Sequence, residues 1–517
     1  MADTAQLFFS FPPNEPLADE VYDEEITAFL QKLDKISAKE YTKAGGGTDS
    51  CLLNHLNPAV QTLPYLKVLI AYIAPVEKFS KVPDGIPQYL RPDGAMWAQL
   101  VEFLGKYDPI QIRYVGKDWR RLLAFVYRVA AGFDMPVLAI HPFRSALLRL
   151  DPEGGVLTTH HLTFLRLCMA SQAYGEALPI LSNIIHSFPP KDASNIDAPY
   201  LCSNHAVSGA FINEKSGFTD LVSIEQVQEY FLLGGMAYIA LQMWEDAQIF
   251  LEHVLVTPTQ NVATGMMVEA YRKWLLVGCL ATGQVPKPSK LINQGAIKDL
   301  KASSPHYTSL ADIFVSENAP RLAAEVSEGA QLWIDDGNAG LVHMLPIHLQ
   351  RFFVAKLEKT YSAIPVSMVA NMLGLPADQA QPYLQELISQ GHLNAIIESS
   401  SGDPILRFFM DPAAGPKAKS EADHLADMYK QAERLKVLSE YVRDADNKLE
   451  LTKEYILKQL AAEQEKRTQA SLEASGTFSV LGSGAMDVGH DRPELFEGMS
   501  GMPGGEDEAD EDLMEAM

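Results

Sequence analysis

Cysteine is scarce. Four stand in 517 residues, at Cys51, Cys168, Cys202 and Cys279, with no CxxC pair among them. That spacing excludes a disulfide framework and a thiolate zinc knuckle; isolated thiols of this kind are ordinarily small core residues in a reducing compartment. Long apolar runs are missing as well. The best candidate span, Tyr230–Trp244 between Glu229 and Glu245, has 15 residues (230 to 244), short of the ~18–20 needed to cross a bilayer. The opening MADTAQLFFSFPPNEP has an acid at Asp3, no basic start, and Pro12 and Pro13 where an apolar stretch would run, so it does not read as a secretory signal and a soluble intracellular protein is expected. Positive charge is in short supply: 42 Lys+Arg face 66 Asp+Glu, a net of −24. Such a surface repels phosphate backbones and anionic membranes unless bases are concentrated locally. Gly at 34 and Pro at 31 are unremarkable, which excludes collagen-like and Pro-rich classes. No GxxxxGK[ST], GxSxG, HExxH or HxH occurs, and no GxGxxG follows a strand.

What is present is apolar periodicity. With 47% hydrophobic residues the chain can bury a large core, and its length fits about three domains. Residues 1–150 form an N-terminal helical region. Glu24–Lys39 carries Ile26, Phe29, Leu30, Leu33 and Ile36 at helical spacing; Trp97–Leu104 and Arg120–Ala131 are further helices. Gly45-Gly46-Gly47 is a linker, and Pro75, Pro83, Pro87 and Pro92 mark loops. Residues 151–343 read as a helical-repeat array. Helices at Thr159–Ala173 and Gly175–Phe188, joined by a short turn, are echoed at Val227–Gln242 and Trp244–Val256, with a third helix at Met266–Thr282. Small residues such as Gly234 and Ala247 let paired helices approach.

Residues 344–412 change texture, and no strand pattern precedes about residue 390. Met344–Lys359 is a helix with Leu349, Phe352, Phe353 and Leu357 inward. Pro365 opens a short helix, Pro365–Leu373, ended by Gly374; Ala377–Gln390 follows, ended by Gly391. Leu393–Ile397 and Ile405–Met410 are β-rich runs joined by Ser-Ser-Ser-Gly-Asp. Three helices and then a hairpin is the order of a winged helix. Beyond Pro412 and Pro416 a single helix is expected within 417–472, about Glu421–Leu472. Its apolar stripe passes through Leu425, Met428, Ala432, Leu435, Leu438, Val442, Ala445, Leu449, Ile456 and Leu460, broken at Thr452. A small winged helix has no surface large enough to cover that stripe, so it is expected to bundle with helices of other chains. Residues 475–517 form an acidic tail; from Asp487 onward there are eleven acids and one base, Arg492. Too little can be buried there to offset ordering entropy, so disorder is expected.

This order of parts resembles the PCI-domain family of the proteasome lid, the COP9 signalosome and a translation initiation factor. Several stretches resemble more narrowly the COP9 signalosome subunit 3 family. They are Thr159-His160-His161-Leu162 through Ala177-Leu178-Pro179, Gly234-Gly235-Met236-Ala237-Tyr238 with Trp244-Glu245-Asp246-Ala247, Glu269-Ala270-Tyr271-Arg272-Lys273, Asp335-Asp336-Gly337-Asn338 through Val342, and Met368-Val369-Ala370 leading to Ile388-Ser389-Gln390-Gly391. The resemblance covers roughly residues 100–410; the segment Phe188–Ser216 and the tail depart from it. It implies a mainly α fold: a right-handed superhelix of TPR-like repeats, a winged helix with a small β-hairpin, and a long C-terminal helix. It also implies a non-catalytic scaffold, in cytoplasm and nucleus, of the complex that removes the ubiquitin-like protein Nedd8 from cullins. Its expected neighbours are subunits 1 and 8 and a shared helical bundle. The rival readings are the equivalent scaffold of the proteasome lid or of the initiation factor, and an orphan cysteine hydrolase.

Candidate chemistry is thin. On a helix, adjacent His160 and His161 point ~100° apart and cannot easily share one ion; one exposed and one packed ring is expected. Cys202-x-x-His205 is half a metal knuckle without its second half. Asp335-Asp336-Gly337-Asn338 superficially resembles a calcium loop, but its twelfth position is Pro346, not Glu, so it reads as a turn. The residues call for no metal and no cofactor. Ala377–Gln390 carries Asp378 and Glu386 and no Lys or Arg, which argues against a DNA-reading helix. Two partner surfaces remain: the wing, with Leu406 and Phe408 on a strand expected to offer an open edge, and the stripe of Leu425, Met428, Leu435, Leu438, Val442, Leu449, Ile456 and Leu460.

Overall fold

The computed structural model describes residues 6–13, 17–43, 52–77, 85–152, 155–190, 200–205, 208–258, 263–398, 403–409, 411, 415–416, 418, 420–450, 455–458 and 460–461. The chain divides into two units, 1–410 and 411–517. Gly45–Gly47, Cys51, Pro83, Ser399–Ser401, Thr452, the predicted continuation of the last helix over 462–472 and the acidic tail fall outside the described residues.

The first unit is helical. It begins with α1 (Asp19–Asp34), α2 (Thr62–Glu77), α3 (Ala95–Lys106), α4 (Gly116–Gly132) and α5 (Val137–Leu150). The first helix starts five residues before the periodicity predicts, because Asp19 and Glu20 stabilise its positive end. Two of these helices run through prolines. Pro75, read as a loop marker, stands in the last turn of α2, and Pro142 stands inside α5. In each the apolar face is buried, in α5 through Ile140, Phe143, Leu147 and Leu150, and that burial offsets the lost backbone bond. Lys67 is the lone charge within α2 apart from its final Glu77, and it sits 2.8 Å from both Asp34 and Asp118.

The array continues through α6 (Thr159–Ala170), α7 (Tyr174–Leu181), α8 (Ile224–Ala240), α9 (Trp244–Val256), α10 (Gly265–Thr282), α11 (Gln294–Ser303), α12 (Pro305–Val315) and α13 (Ala319–Glu328). The core runs from Phe8 to Leu349 and passes position 150 without a break. The helix expected over Gly175–Phe188 ends at Leu181, and Ser187 turns back to bridge Val156. The repeat is clearest in its turns. Gln172, Gln242, Glu317 and Gly337 each adopt positive φ, from 55° to 67°, two residues before the next helix begins. In three of the four, the following N–H reaches back five residues: Ala173 to Cys168, Met243 to Tyr238 and Asn338 to Trp333. The same helix-ending motif thus recurs between the two helices of a pair although sequence spacing between pairs varies. Close helix approach is also real. A Cβ on Gly234 would lie 2.6 Å from the Phe250 ring.

The winged helix hangs on α14 (Ala339–Leu357). It comprises β1 (Ala363–Pro365), α15 (Val366–Leu373), α16 (Ala377–Ser389), β2 (Ala395–Glu398) and β3 (Ile405–Phe408). The first strand lies before residue 390, where no strand was expected, and Pro365 ends it rather than beginning the helix. All pairing is antiparallel, in the order β1-β3-β2, with Leu406 opposite both Ile364 and Ile397. A separate core gathers Val354, Ile364, Val369, Leu384, Leu406 and Phe408.

The second unit contains α17 (Glu421–Glu450), with further helical residues at 455–458 and 460–461. Ser420 caps its start, accepting the Asp423 N–H at 3.2 Å.

Candidate partner-binding surfaces

The two surfaces expected from sequence are built differently. On the wing, β3 is the central strand, hydrogen-bonded on both sides, so it has no open edge. Leu406 and Phe408 alternate with outward residues and enter the core, Leu406 with no exposed surface. Their expected role as contact residues is therefore corrected: they hold the sheet onto α15 and α16. The outer sides of β1 and β2 are the edges without a strand partner among the described residues. On the solvent face Arg407 meets Glu398 at 2.9 Å. The missed strand had a faint signal, Ala363-Ile364-Pro365, too short to show a period of two.

On α17 the expected stripe stands open. Leu425, Met428, Leu435, Leu438, Val442 and Leu449 are exposed by 44–68%, and Ile456 and Leu460 in the following helical residues are equally open. Met428, Leu435, Val442, Leu449 and Ile456 recur at intervals of seven, the period of a helix that winds around neighbours. Tyr429 and Leu457, which sequence reasoning left out, extend the apolar surface.

The titratable candidates are structural. Both histidines of the His160-His161 pair are buried, against the expectation of one exposed ring. Helix α6 packs against α5 on one side and α8 on the other, so side chains 100° apart both meet neighbours. His160 Nε2 donates to the Phe218 carbonyl at 2.9 Å, and its ring meets Trp119 edge-on. His161 Nδ1 accepts the Thr158 N–H at 3.1 Å in a capping box. Burial pushes the two imidazoles down to about 4 and about 3. The thiols of Cys168 and Cys279 are buried and pushed up to about 12 by desolvation, and that of Cys202 is raised by the same cause. A nucleophile needs the opposite shift. Cys202 Sγ lies 3.2 Å from the Asp19 carbonyl. Among the described residues no group of three His, Cys, Asp or Glu is placed to hold a metal ion, and no helix is long and apolar enough to cross a membrane.

In the Asp335–Asn338 segment Asp335 closes a short helix and the residues after it turn, with Gly337 at φ +67°. Its polar groups are spent on a latch to the array. Asp336 pairs with Arg272 at 2.6 Å and accepts from Tyr307 Oη at 2.9 Å, while Asn338 Oδ1 accepts from buried Lys273 at 2.6 Å. The exposed face of α16 shows Asp378, Gln379, Gln385 and Glu386 and no base, unlike a helix that reads nucleic acid.

Comparison with known proteins matches residues 24–295 to a family model described as COP9 signalosome complex subunit 3, N-terminal helical repeats, and residues 327–402 to the PCI domain. Three similar proteins are each named COP9 signalosome complex subunit 3. That of Emericella nidulans is 31% identical over 487 residues, covering 93% of this chain and 95% of the relative. That of Neurospora crassa is 29% identical over 459 residues, covering 86% and 89%. The Dictyostelium discoideum protein is 23% identical over 355 residues, covering 68% and 76%.

Proposed function

The chain belongs to the COP9 signalosome subunit 3 family, and from that premise we propose that it is a non-catalytic scaffold subunit of that complex, whose removal of Nedd8 from cullins takes place in another subunit. Its neighbours are the other signalosome subunits, with subunits 1 and 8 beside it, in cytoplasm and nucleus. The observation that carries this reading is the open stripe of α17. Fully burying a side chain of this class stabilises by ~1.5–3 kcal/mol. For eight residues already about half covered, ~6–12 kcal/mol remains to be gained. That only matches the ~4–15 kcal/mol cost of association. One helix-to-helix seam is therefore not enough, which favours a bundle of several helices with additional contacts at the wing edges β1 and β2.

The test is to delete residues 421–472. The shortened chain is expected to keep the helical circular dichroism of the first unit and to lose co-purification with the other subunits. The double variant Leu435→Asp/Leu449→Asp is expected to do the same, weakening assembly at least ~100-fold because two charges would have to enter an apolar seam. Undiminished co-purification of either form would remove the bundling role.

A further inference from the structure

Between Lys287 and Arg321 the charge balance reverses. This stretch holds five bases, Lys287, Lys290, Lys298, Lys301 and Arg321, against Asp299, Asp312 and Glu317, so it carries 5 − 3 = +2 while the rest of the chain carries −26. All five bases are exposed. Glu317 is held by Lys356, and among the described residues none of the five bases meets a carboxylate. Elsewhere in the same unit cations are commonly neutralised in place: Arg120 by Asp220, Arg121 by Glu77, Arg144 by Glu176, Arg166 by Glu229. Lys298 and Lys301 lie one turn apart on α11. Lys301 and Arg321 line one open surface groove of about 530 Å³, whose wall also carries Thr308, Ser309 and Asp312. The two family matches stop at 295 and resume at 327, so this groove lies where neither reaches.

We propose that the groove between α11, α12 and α13 docks an acidic peptide segment of another protein, with carboxylates on Lys301 and Arg321 and on Lys298 one turn away. Charge complementarity selects the occupant. A short acidic peptide stays within the groove and its basic rim. A nucleic-acid duplex would extend beyond it, over a chain of net −26, at distances where repulsion is not fully screened. The segment 287–321 also exposes no Phe, Tyr or Trp on which a base could stack.

The experiment uses the full chain and a fluorescein-labelled peptide, Asp-Glu-Asp-Asp-Glu-Asp-Leu-Met, followed by anisotropy. Binding is expected with a Kd below ~100 µM at low salt, and it should weaken as salt rises. Lys298→Glu/Lys301→Glu is expected to weaken it at least ~10-fold, and Arg321→Gln ~3-fold at low salt. Both variants change exposed side chains, so circular dichroism and co-purification with signalosome subunits should stay as in the parent; this separates the idea from the bundling role of α17. No peptide binding by the parent chain, binding indifferent to the double charge reversal, or tighter binding of a 20-base-pair DNA duplex than of the peptide would each overturn it.

Discussion

The wing strand β3 and the helix α17 both carry apolar residues at a clean period, and they meet opposite fates. Leu406 in β3 is wholly covered; Leu435 in α17 is 68% exposed. Periodicity says that a face wants to leave water and is silent on what covers it. The difference lies in the neighbourhood. Around β3 the chain supplies a strand on each side and α15 and α16 across one face. Around α17 the described residues supply no second helix of its unit to pack against the stripe.

The sharpest way to break this contrast is Leu406→Asp. A carboxylate there would enter a core that offers no partner, at a cost of ~3–5 kcal/mol. The winged helix is expected to unfold, seen as loss of the β-sheet signals and of amide protection over 363–408, with assembly lost as a consequence. The stripe variants of α17 should instead leave the stability of the first unit untouched. If Leu406→Asp kept its fold and lost only its partners, the strand would be a contact surface after all.

A broader effect comes from acid. His160, His161 and His348 are buried, and burial holds each imidazole well below 6.5, at about 4, 3 and 4. A base whose folded pKa is depressed contributes stability that is complete above the unfolded pKa. That stability is lost as pH falls from 6.5 toward the folded values, because the unfolded chain then binds protons that the native chain refuses. Each histidine is expected to cost ~1–2 kcal/mol between pH 6.5 and 5. Denaturant midpoints measured across that range should drop for the first unit. A flat profile would mean that these rings titrate freely and are not enclosed between helices.

Much of the helical frame was legible because long amphipathic segments such as Trp244–Val256 and Gly265–Thr282 declare themselves by spacing. One proline misled: Pro75 sits in the last turn of a helix whose nearly continuous apolar character outweighs one missing bond. The repeat was faint in spacing because its invariant is conformational, a left-handed residue before each second helix. Gln172, Gln242 and Glu317 fill it as Gly337 does, so no residue type announces it. Of the candidate surfaces, the stripe was legible because it extends over many turns. The wing was misassigned because a three-residue strand, β1, gives no period, yet its presence turns β3 from an edge into a centre.

The smallest effect makes the finest comparison, since it concerns the next residue along the same strand. Arg407 points away from the core, half exposed, with its guanidinium 2.9 Å from Glu398. An exposed pair of this kind contributes ~0–1 kcal/mol, so Arg407→Gln should shift the melting temperature of the winged helix by no more than a few degrees, where Leu406→Asp abolishes its folding. Assembly then becomes the informative readout. If Arg407→Gln assembles like the parent, the outer face of the central strand is solvent, and wing contacts must run through the edges β1 and β2. If it weakens assembly tenfold at unchanged stability, that face is itself a contact, and the wing regains the role that burial of Leu406 and Phe408 denies to its inner side.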